Sequence, residues 1–184
     1  MRWIKRVFSQ WHRYVLWTLI SMIVWSWIFV SFVADTTRAK KVSLYHSNDV
    51  AGLDTELAVE LERAMPEGLR MVRVHPFSYV SFNIGKPEDA ELYILSETEI
   101  AESIPDLSPL PPRGEGDYLV DGAVYGWRIY DDATGQGVAT AFLSYRPGQN
   151  YYLCASNGAI HLSDWTETGD SAGIPIAQRL ITLP

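Results

Sequence analysis

The chain has 184 residues, of which 15 are Lys or Arg and 22 are Asp or Glu, so its formal net charge is -7. This length favours one domain over two large ones. The acidic balance argues against a general nucleic-acid binder, which needs a basic surface facing the phosphates. The single cysteine, Cys154, excludes an intrachain disulfide and any zinc or iron–sulfur site built from several cysteines.

Positive charge is concentrated at the start of the chain. Residues 1–34 contain no acid, and their bases are Arg2, Lys5, Arg6 and Arg13. Residues 35–184 contain the other 11 bases and all 22 acids, so the two parts carry charges of opposite sign. The acidic part is expected to select against anionic partners, nucleic acid included.

An uncharged run of 21 residues, 14–34, follows the basic start. A helix of about 20 apolar residues crosses a hydrocarbon core of about 30 Å, where lipid offers no partner for backbone amides. The run therefore predicts a transmembrane helix over 14–34, between a cytoplasmic tail (1–13) and a linker (35–40). A cleaved signal peptide and a buried core helix are the alternatives, but the run is longer than a signal's apolar region and apolar on every face.

The flanks of this run determine its predicted orientation. Four bases precede the run, while Arg38, Lys40 and Lys41 follow it, which is a weak positive-inside bias towards a cytoplasmic N-terminus. Residues 41–184 are then predicted to form an extracytoplasmic domain of a single-pass cell-membrane protein. The lipid bilayer is the expected partner of residues 14–34.

The first part of the predicted domain alternates between strand and helix patterns. Residues 41–46 and 69–74 have strand composition, and between them leucines recur at helical spacing over 53–65. A strand, a helix and a strand within about 30 residues are typical of a βαβ unit. Residues 80–84 predict a strand or a packed loop, and 91–96 predict a buried strand that a short helix follows.

The second part adds antiparallel patterns. A loop rich in proline and glycine over 105–117 precedes an alternating stretch from Asp121. The remaining predictions are a turn at 131–137, strands at 138–145 and 151–156, a short helix at 159–165 and a last helix over 172–182. Together these patterns predict an α/β layered domain with a mixed sheet over 41–184.

A serine flanked by glycines, Ser171, lies in the motif G-x-S-x-G of a nucleophile elbow. The α/β-hydrolase order places an acid and a histidine after the serine, but the residues after Ser171 contain no His, Asp or Glu. The chymotrypsin order could use His46 or His75, but it belongs to a fold of two β-barrels, which the helical patterns contradict. We therefore expect Ser171 to mark the start of the last helix.

Three further patterns are interpreted as structural. Cys154 and His161 suggest a thiolate–imidazole pair, but Cys154 lies in an apolar strand, where a buried thiol is inert. His46, His75 and His161 do not have metal-ligand spacing, and the two G-x-G pairs lack the following helix of a nucleotide-binding turn. The sequence therefore predicts a protein that is not an enzyme, with no cofactor and no metal site.

Four segments resemble the type II periplasmic, or extracellular, solute-binding proteins. KKVSLYHSNDVAGLDTELAVELERAMPEGLRMVRV is similar to their first strand, helix and second strand, and DAELYILS to their third strand. VYGWRIYD is similar to their strand near the hinge, and YYLCASNGAIHLSDW to the C-terminal part of small membrane-tethered members in Gram-positive bacteria. Those proteins close two lobes on a ligand, whereas about 150 residues make one lobe. The resemblance implies a non-catalytic, membrane-anchored binding module.

Ligands in open α/β sheets bind beyond the carboxyl ends of the strands. With the resemblance, this rule gives the candidate ligand-binding residues, which are Ser47, Asn48, Asp49, Ser96, Glu97 and Trp127. The expected ligand is a small solute or a peptide. The alternative hypothesis is a single-pass accessory subunit that contacts a membrane-protein partner and has no small-molecule ligand.

Overall fold

The computed structural model of the protein describes residues 2–32, 36–77, 89–167 and 169–184. The chain divides into two compact units, with the boundary between Thr37 and Arg38. Each unit is described by itself below.

The first unit is built on one helix, α1 (Arg2–Phe32), which is 31 residues long. Among the described residues, no helix combines the length and the apolarity that crossing a membrane requires. On this criterion the prediction of a single-pass transmembrane helix over 14–34 is wrong, although residues 33 and 34 lie outside the described residues.

The second unit contains strands and helices whose bounds agree with most of the predicted ones. Its described strands are β1 (Lys41–His46), β2 (Val50–Gly52), β3 (Met71–Pro76), β4 (Leu92–Ser96), β5 (Leu107–Ser108), β6 (Tyr118–Val120), β7 (Ala123–Asp131), β8 (Gln136–Gly137), β9 (Leu143–Tyr145) and β10 (Tyr151–Ser156). Its described helices are α2 (Asp54–Glu62), α3 (Glu97–Ser103) and α4 (Ile174–Leu180).

The main sheet has the order β3-β1-β4-β10-β7-β6, with β5 beside β10 and β8 beside β7. Strand β1 is parallel to both β3 and β4, while β10 is antiparallel to both β4 and β7. The predicted mixed α/β domain is therefore confirmed. Strands β2 and β9 form a separate antiparallel ribbon.

Strand β10 sends alternate side chains into two hydrophobic cores, one on each face of the sheet. Tyr151 and Leu153 belong to the first core, while Tyr152 and Cys154 belong to the second. Helices α2 and α4 pack on the first core, and Ile100 of α3 packs in the second. Because both faces are covered, β10 is apolar along its whole length, as strands buried on two sides are.

The largest difference from the sequence prediction lies at 138–145. Instead of one returning strand, the chain turns at Ala139, whose φ is 54°. Its N–H donates to Leu183 O at 3.0 Å. Only Leu143–Tyr145 is extended, and it pairs with β2 rather than β7. Residues 159–165 form turns instead of the predicted short helix, and the strand or loop predicted at 80–84 lies outside the described residues.

Burial makes Cys154 unreactive in the folded protein. The thiol is fully buried in the second core, and this burial raises its pKa far above the ordinary value. We expect Ellman's reagent to leave Cys154 unlabelled under native conditions and to label it fully in denaturant. Rapid labelling at neutral pH without denaturant would contradict the burial of this strand.

Candidate functional site

The carboxyl ends of three strands meet at one edge of the main sheet. Strands β1, β4 and β7 run in the same direction, because β10 is antiparallel to both β4 and β7. Ser96 at the end of β4 pairs with Tyr151 at the start of β10, which in turn pairs with Tyr130 of β7. This carboxyl edge is where the strand-end rule places a ligand.

Two of the predicted residues, Ser47 and Ser96, are joined by the carboxylate of Glu99. Ser47 Oγ donates to Glu99 Oε1 at 2.9 Å, and Ser96 Oγ donates to Glu99 Oε2 at 2.7 Å. Ser96 is also the N-cap of α3, because Glu99 N donates to its Oγ and Glu99 Oε2 accepts from its N–H. Both serines are almost fully buried. Through Glu99, the two serines hold the end of β1 against the start of α3, and both lie buried beneath the carboxyl edge.

Asp49 binds three residues that lie far along the sequence. Its Oδ1 accepts from Arg146 Nη1 at 2.8 Å, and its Oδ2 accepts from Gln149 Nε2 at 3.2 Å. Tyr151 Oη donates to the Asp49 carbonyl at 3.5 Å. The hydrogen bond from Arg146 lowers the pKa of Asp49, and the same bond raises the pKa of Arg146. The β2–β9 ribbon makes these contacts possible, because its pairing brings the loop after β1 beside residue 146.

An open, solvent-facing cavity of about 530 Å³ lies at the same edge, and most of the residues that line it are polar or charged. It is lined by the start of α3, the end of β7 and the segment before β10, whose lining residues are Glu97, Thr98, Arg128, Asp131, Asp132, Ala133, Gly148, Gln149 and Asn150. Gln149 connects this cavity with Asp49, because it lines the one and donates to the other.

The three carboxylates of the cavity differ in their hydrogen-bond and ion-pair partners. Asp131 Oδ2 lies 3.7 Å from Arg128 Nη1, and Asp132 Oδ1 accepts from Gly148 N at 2.7 Å. Glu97 is exposed and lies at the start of α3. The three carboxylates outnumber the one guanidinium, so the cavity has an excess of negative charge.

The structure brings five of the six candidate residues to this edge. Ser47, Asn48 and Asp49 follow β1, while Ser96 is the last residue of β4 and Glu97 follows it. Trp127 does not join them, because it is 5% exposed in the first core. Its Nε1 donates to Pro111 O at 2.8 Å, and its ring packs edge-on against Trp165.

Several residues of the edge were missed by the sequence analysis. They are Glu99, Arg128, Asp131, Asp132, Arg146 and Gln149. The spacing S-x-x-E from Ser96 is a capping-box signal that identifies Glu99. Nothing in the sequence connects Arg146 with Asp49, because the ribbon that joins them is too short to predict.

The geometry around Ser171 does not form a nucleophile and its base. Ser171 Oγ lies 2.9 Å from Ser163 Oγ. His161 Nδ1 lies 2.9 Å from Asp170 Oδ1, and its Nε2 lies 3.3 Å from Arg38 O. Both ring nitrogens of His161 therefore face oxygen acceptors rather than Ser171, and the Ser–His contact of a triad is not made.

A buried carboxylate, Glu91, holds the loop that carries His161. Glu91 is fully buried, and its side chain accepts from Ile160 N at 3.1 Å and from His161 N at 3.0 Å. Desolvation raises the pKa of Glu91 above its ordinary value, although the two backbone donors act in the opposite direction. Glu91 is therefore a structural acid at the end of the sheet opposite to the cavity.

The raised pKa predicts a pH-dependent difference between the wild type and Glu91→Gln. As pH rises from the unfolded value of about 4.3 through the folded pKa, the unfolded state loses its proton first, so Glu91 ionisation lowers the free energy of unfolding. Glutamine does not titrate, and its lost hydrogen bond shifts stability equally at every pH. We expect urea unfolding to show the wild type losing stability relative to Glu91→Gln across this window. A difference independent of pH would contradict the raised pKa.

The carboxyl edge presents charged and hydrogen-bonding side chains. Among the described residues, no group of three or more His, Cys, Asp or Glu side chains is arranged to hold a metal ion. The edge offers carboxylates, one guanidinium and side-chain amides around a polar cavity. Such groups bind and orient a polar solute.

Comparison with protein-family models, with curated proteins and with solved structures found no match for this chain. The fold defines a mixed α/β domain with its candidate site at the carboxyl edge of the sheet. The resemblance to solute-binding proteins stays a prediction.

Proposed function

We propose that the second unit is a non-catalytic binding module that takes a small polar solute at the carboxyl edge of its sheet. The observation that carries this proposal is the polar cavity of about 530 Å³, which opens where strands β4 and β7 end. Its volume lies within the range of about 300–1,000 Å³ that is typical of small-molecule sites. A second cavity of about 540 Å³ lies beside Trp165, so the position at the carboxyl ends of the strands, rather than the volume, selects this one.

The charges of the cavity favour solutes with a cationic group. Three carboxylates, those of Glu97, Asp131 and Asp132, line the cavity together with one guanidinium, that of Arg128. An excess of carboxylates attracts an amine and repels anions. Gln149 and Asn150 add amide donors and acceptors that favour a polar solute over an apolar one. Amino acids, short peptides and diamines are therefore the ligand classes to examine first.

Thermal unfolding of the full chain with a panel of these solutes tests the proposal. A ligand that binds only the folded state adds about 2.7 kcal/mol to the free energy of unfolding at a hundredfold excess over its Kd. Sugars and inorganic phosphate provide neutral and anionic comparisons. We expect a rise in Tm with an amine-bearing class, and no rise with phosphate.

The matched variants are Glu97→Gln and Glu115→Gln. Glu97 lines the cavity, whereas Glu115 is an exposed carboxylate of the loop before β6. Each variant removes one negative charge from an exposed position, so neither is expected to change the fold. We expect Glu97→Gln to raise the Kd of the ligand about tenfold and so to reduce the ligand-induced rise in Tm. Glu115→Gln should leave both the Kd and the rise in Tm unchanged. A panel without any shift, or equal effects of the two variants, would contradict a site in this cavity.

A further inference from the structure

Helix α1 exposes an unusually large apolar surface. Thirteen of its large apolar side chains are exposed by 40% to 69%, and they are Trp11, Tyr14, Val15, Leu16, Trp17, Leu19, Ile20, Met22, Ile23, Val24, Trp25, Trp27 and Phe29. The described part of the second unit exposes only Leu53, Val59 and Leu119 in the same way. A contiguous apolar surface of this extent marks a contact site for a protein or a lipid.

The exposed side chains form two different stripes along α1. Leu16, Ile20, Ile23 and Trp27 recur at i, i+4, i+7 and i+11, which places them on one side of the helix. Tyr14, Thr18, Ser21 and Trp25 recur with the same spacing on nearly the opposite side, and Thr18 Oγ1 donates to Tyr14 O at 2.8 Å. Each stripe contains one exposed indole, Trp27 or Trp25, but only the second stripe carries hydroxyl groups.

Charge distinguishes two possible binding partners of this apolar surface, a second copy of the helix and a lipid bilayer. Residues 1–34 contain four bases and no acid, so the helix has a cationic start beside its apolar surface. Two copies of such a helix side by side in parallel would bring like charges together. An anionic lipid surface provides the opposite charge, an acyl region for the apolar stripe and an interface that indole and phenol rings favour.

We infer that α1 binds the surface of an anionic lipid bilayer. The Leu16–Trp27 stripe enters the acyl boundary, the Tyr14–Trp25 stripe lies at the headgroups, and the net positive charge of residues 1–34 is attracted to the anionic lipid. Lying on a bilayer in this way requires an apolar side, a more polar side and attraction of basic residues to the lipid, and it does not require a helix that crosses the membrane. This inference concerns the first unit and goes beyond the proposed function of the second.

Vesicle flotation of the full chain tests the inference. The vesicles are phosphatidylcholine alone or phosphatidylcholine mixed with phosphatidylglycerol, each at low and at high salt. We expect strong binding to the mixed vesicles that weakens with salt, and weaker binding to phosphatidylcholine alone. Removing one base with Arg13→Gln should lower the partition coefficient on mixed vesicles about fivefold and leave the neutral vesicles unaffected.

The apolar contribution is tested with Ile20→Ser/Ile23→Ser against Leu119→Ser. All three positions are exposed, but Leu119 belongs to β6 of the second unit. The double variant should lose at least about tenfold in binding, because each isoleucine loses its transfer into the acyl region, while Leu119→Ser binds as the wild type. Circular dichroism of each variant establishes that helix content is kept.

Three outcomes would overturn the inference. They are the absence of binding to mixed vesicles, equal binding by the double variant and Leu119→Ser, and self-association of the full chain that vesicles do not compete away. The last outcome would assign the apolar surface to a second copy of the chain. The ligand-induced change in Tm reports on the cavity alone, so failure of either proposal leaves the other one open to its own test.

Discussion

Gly169→Ala is expected to destabilise the second unit by at least about 3 kcal/mol, since a strained backbone alone costs about 1–3 kcal/mol. Gly169 has a φ of 87°, a backbone conformation that residues with a side chain rarely adopt. In addition, a Cβ at this position would overlap the carbonyl group of Ile160 and lie 2.7 Å from its Cα. The loop must therefore move, and the hydrogen bond from Asp170 N to Ile160 O at 2.7 Å is lost with it.

Gly135→Ala is the matched control for this prediction. Gly135 also has a positive φ, 65°, but a Cβ there would meet no atom within 4 Å. It therefore tests the backbone conformation without the overlap, and its cost should stay near about 1 kcal/mol. Urea unfolding followed by tryptophan fluorescence measures both variants. Equal losses would show that the approach of Gly169 to Ile160 is not tight.

Leu153→Ala is expected to cost about 2–5 kcal/mol, the range for a buried leucine that leaves a cavity. Leu153 is 1% exposed at the middle of β10, where it pairs with Ile94 on one side and Trp127 on the other. Both neighbours belong to strands held in the same sheet, so the surroundings have little freedom to collapse into the vacated space.

Leu119→Ala provides the comparison for Leu153→Ala. Leu119 lies on β6 and is 61% exposed, so its truncation should change stability by no more than about 0.5 kcal/mol. Chemical denaturation with an unchanged m-value would attribute the difference to packing in the folded state. A small loss at Leu153 would mean that the first core is loosely packed around β10.

The buried strands were the most predictable part of the fold. Residues 41–46, 91–96 and 151–156 are short apolar runs bounded by turn residues, and they become β1, β4 and β10. Burial on both faces leaves a continuous apolar pattern that needs no knowledge of the partner strand. The strand predicted over 138–145 was wrong, because the chain turns at Ala139, whose N–H donates to Leu183 near the other end of the domain.

The candidate site was predictable only on the side that follows β1 and β4. Polar residues directly after a buried strand mark its carboxyl end, which identified Asp49 and Glu97. Their surroundings come from elsewhere, since Arg146 and Gln149 approach Asp49 through the β2–β9 ribbon. Trp127 was predicted together with the strand-end residues, but its side chain is buried in the first core.

The position of β10 in the sheet also affects how the protein folds while it is being synthesised. Strands β1, β3 and β4 precede β10 in the chain, and β10 later inserts between β4 and β7. Until β10 leaves the ribosome, the outer edge of β4 exposes unpaired backbone groups between two apolar faces, and such an edge pairs readily with other chains. Closure by β10 therefore competes with aggregation of nascent chains.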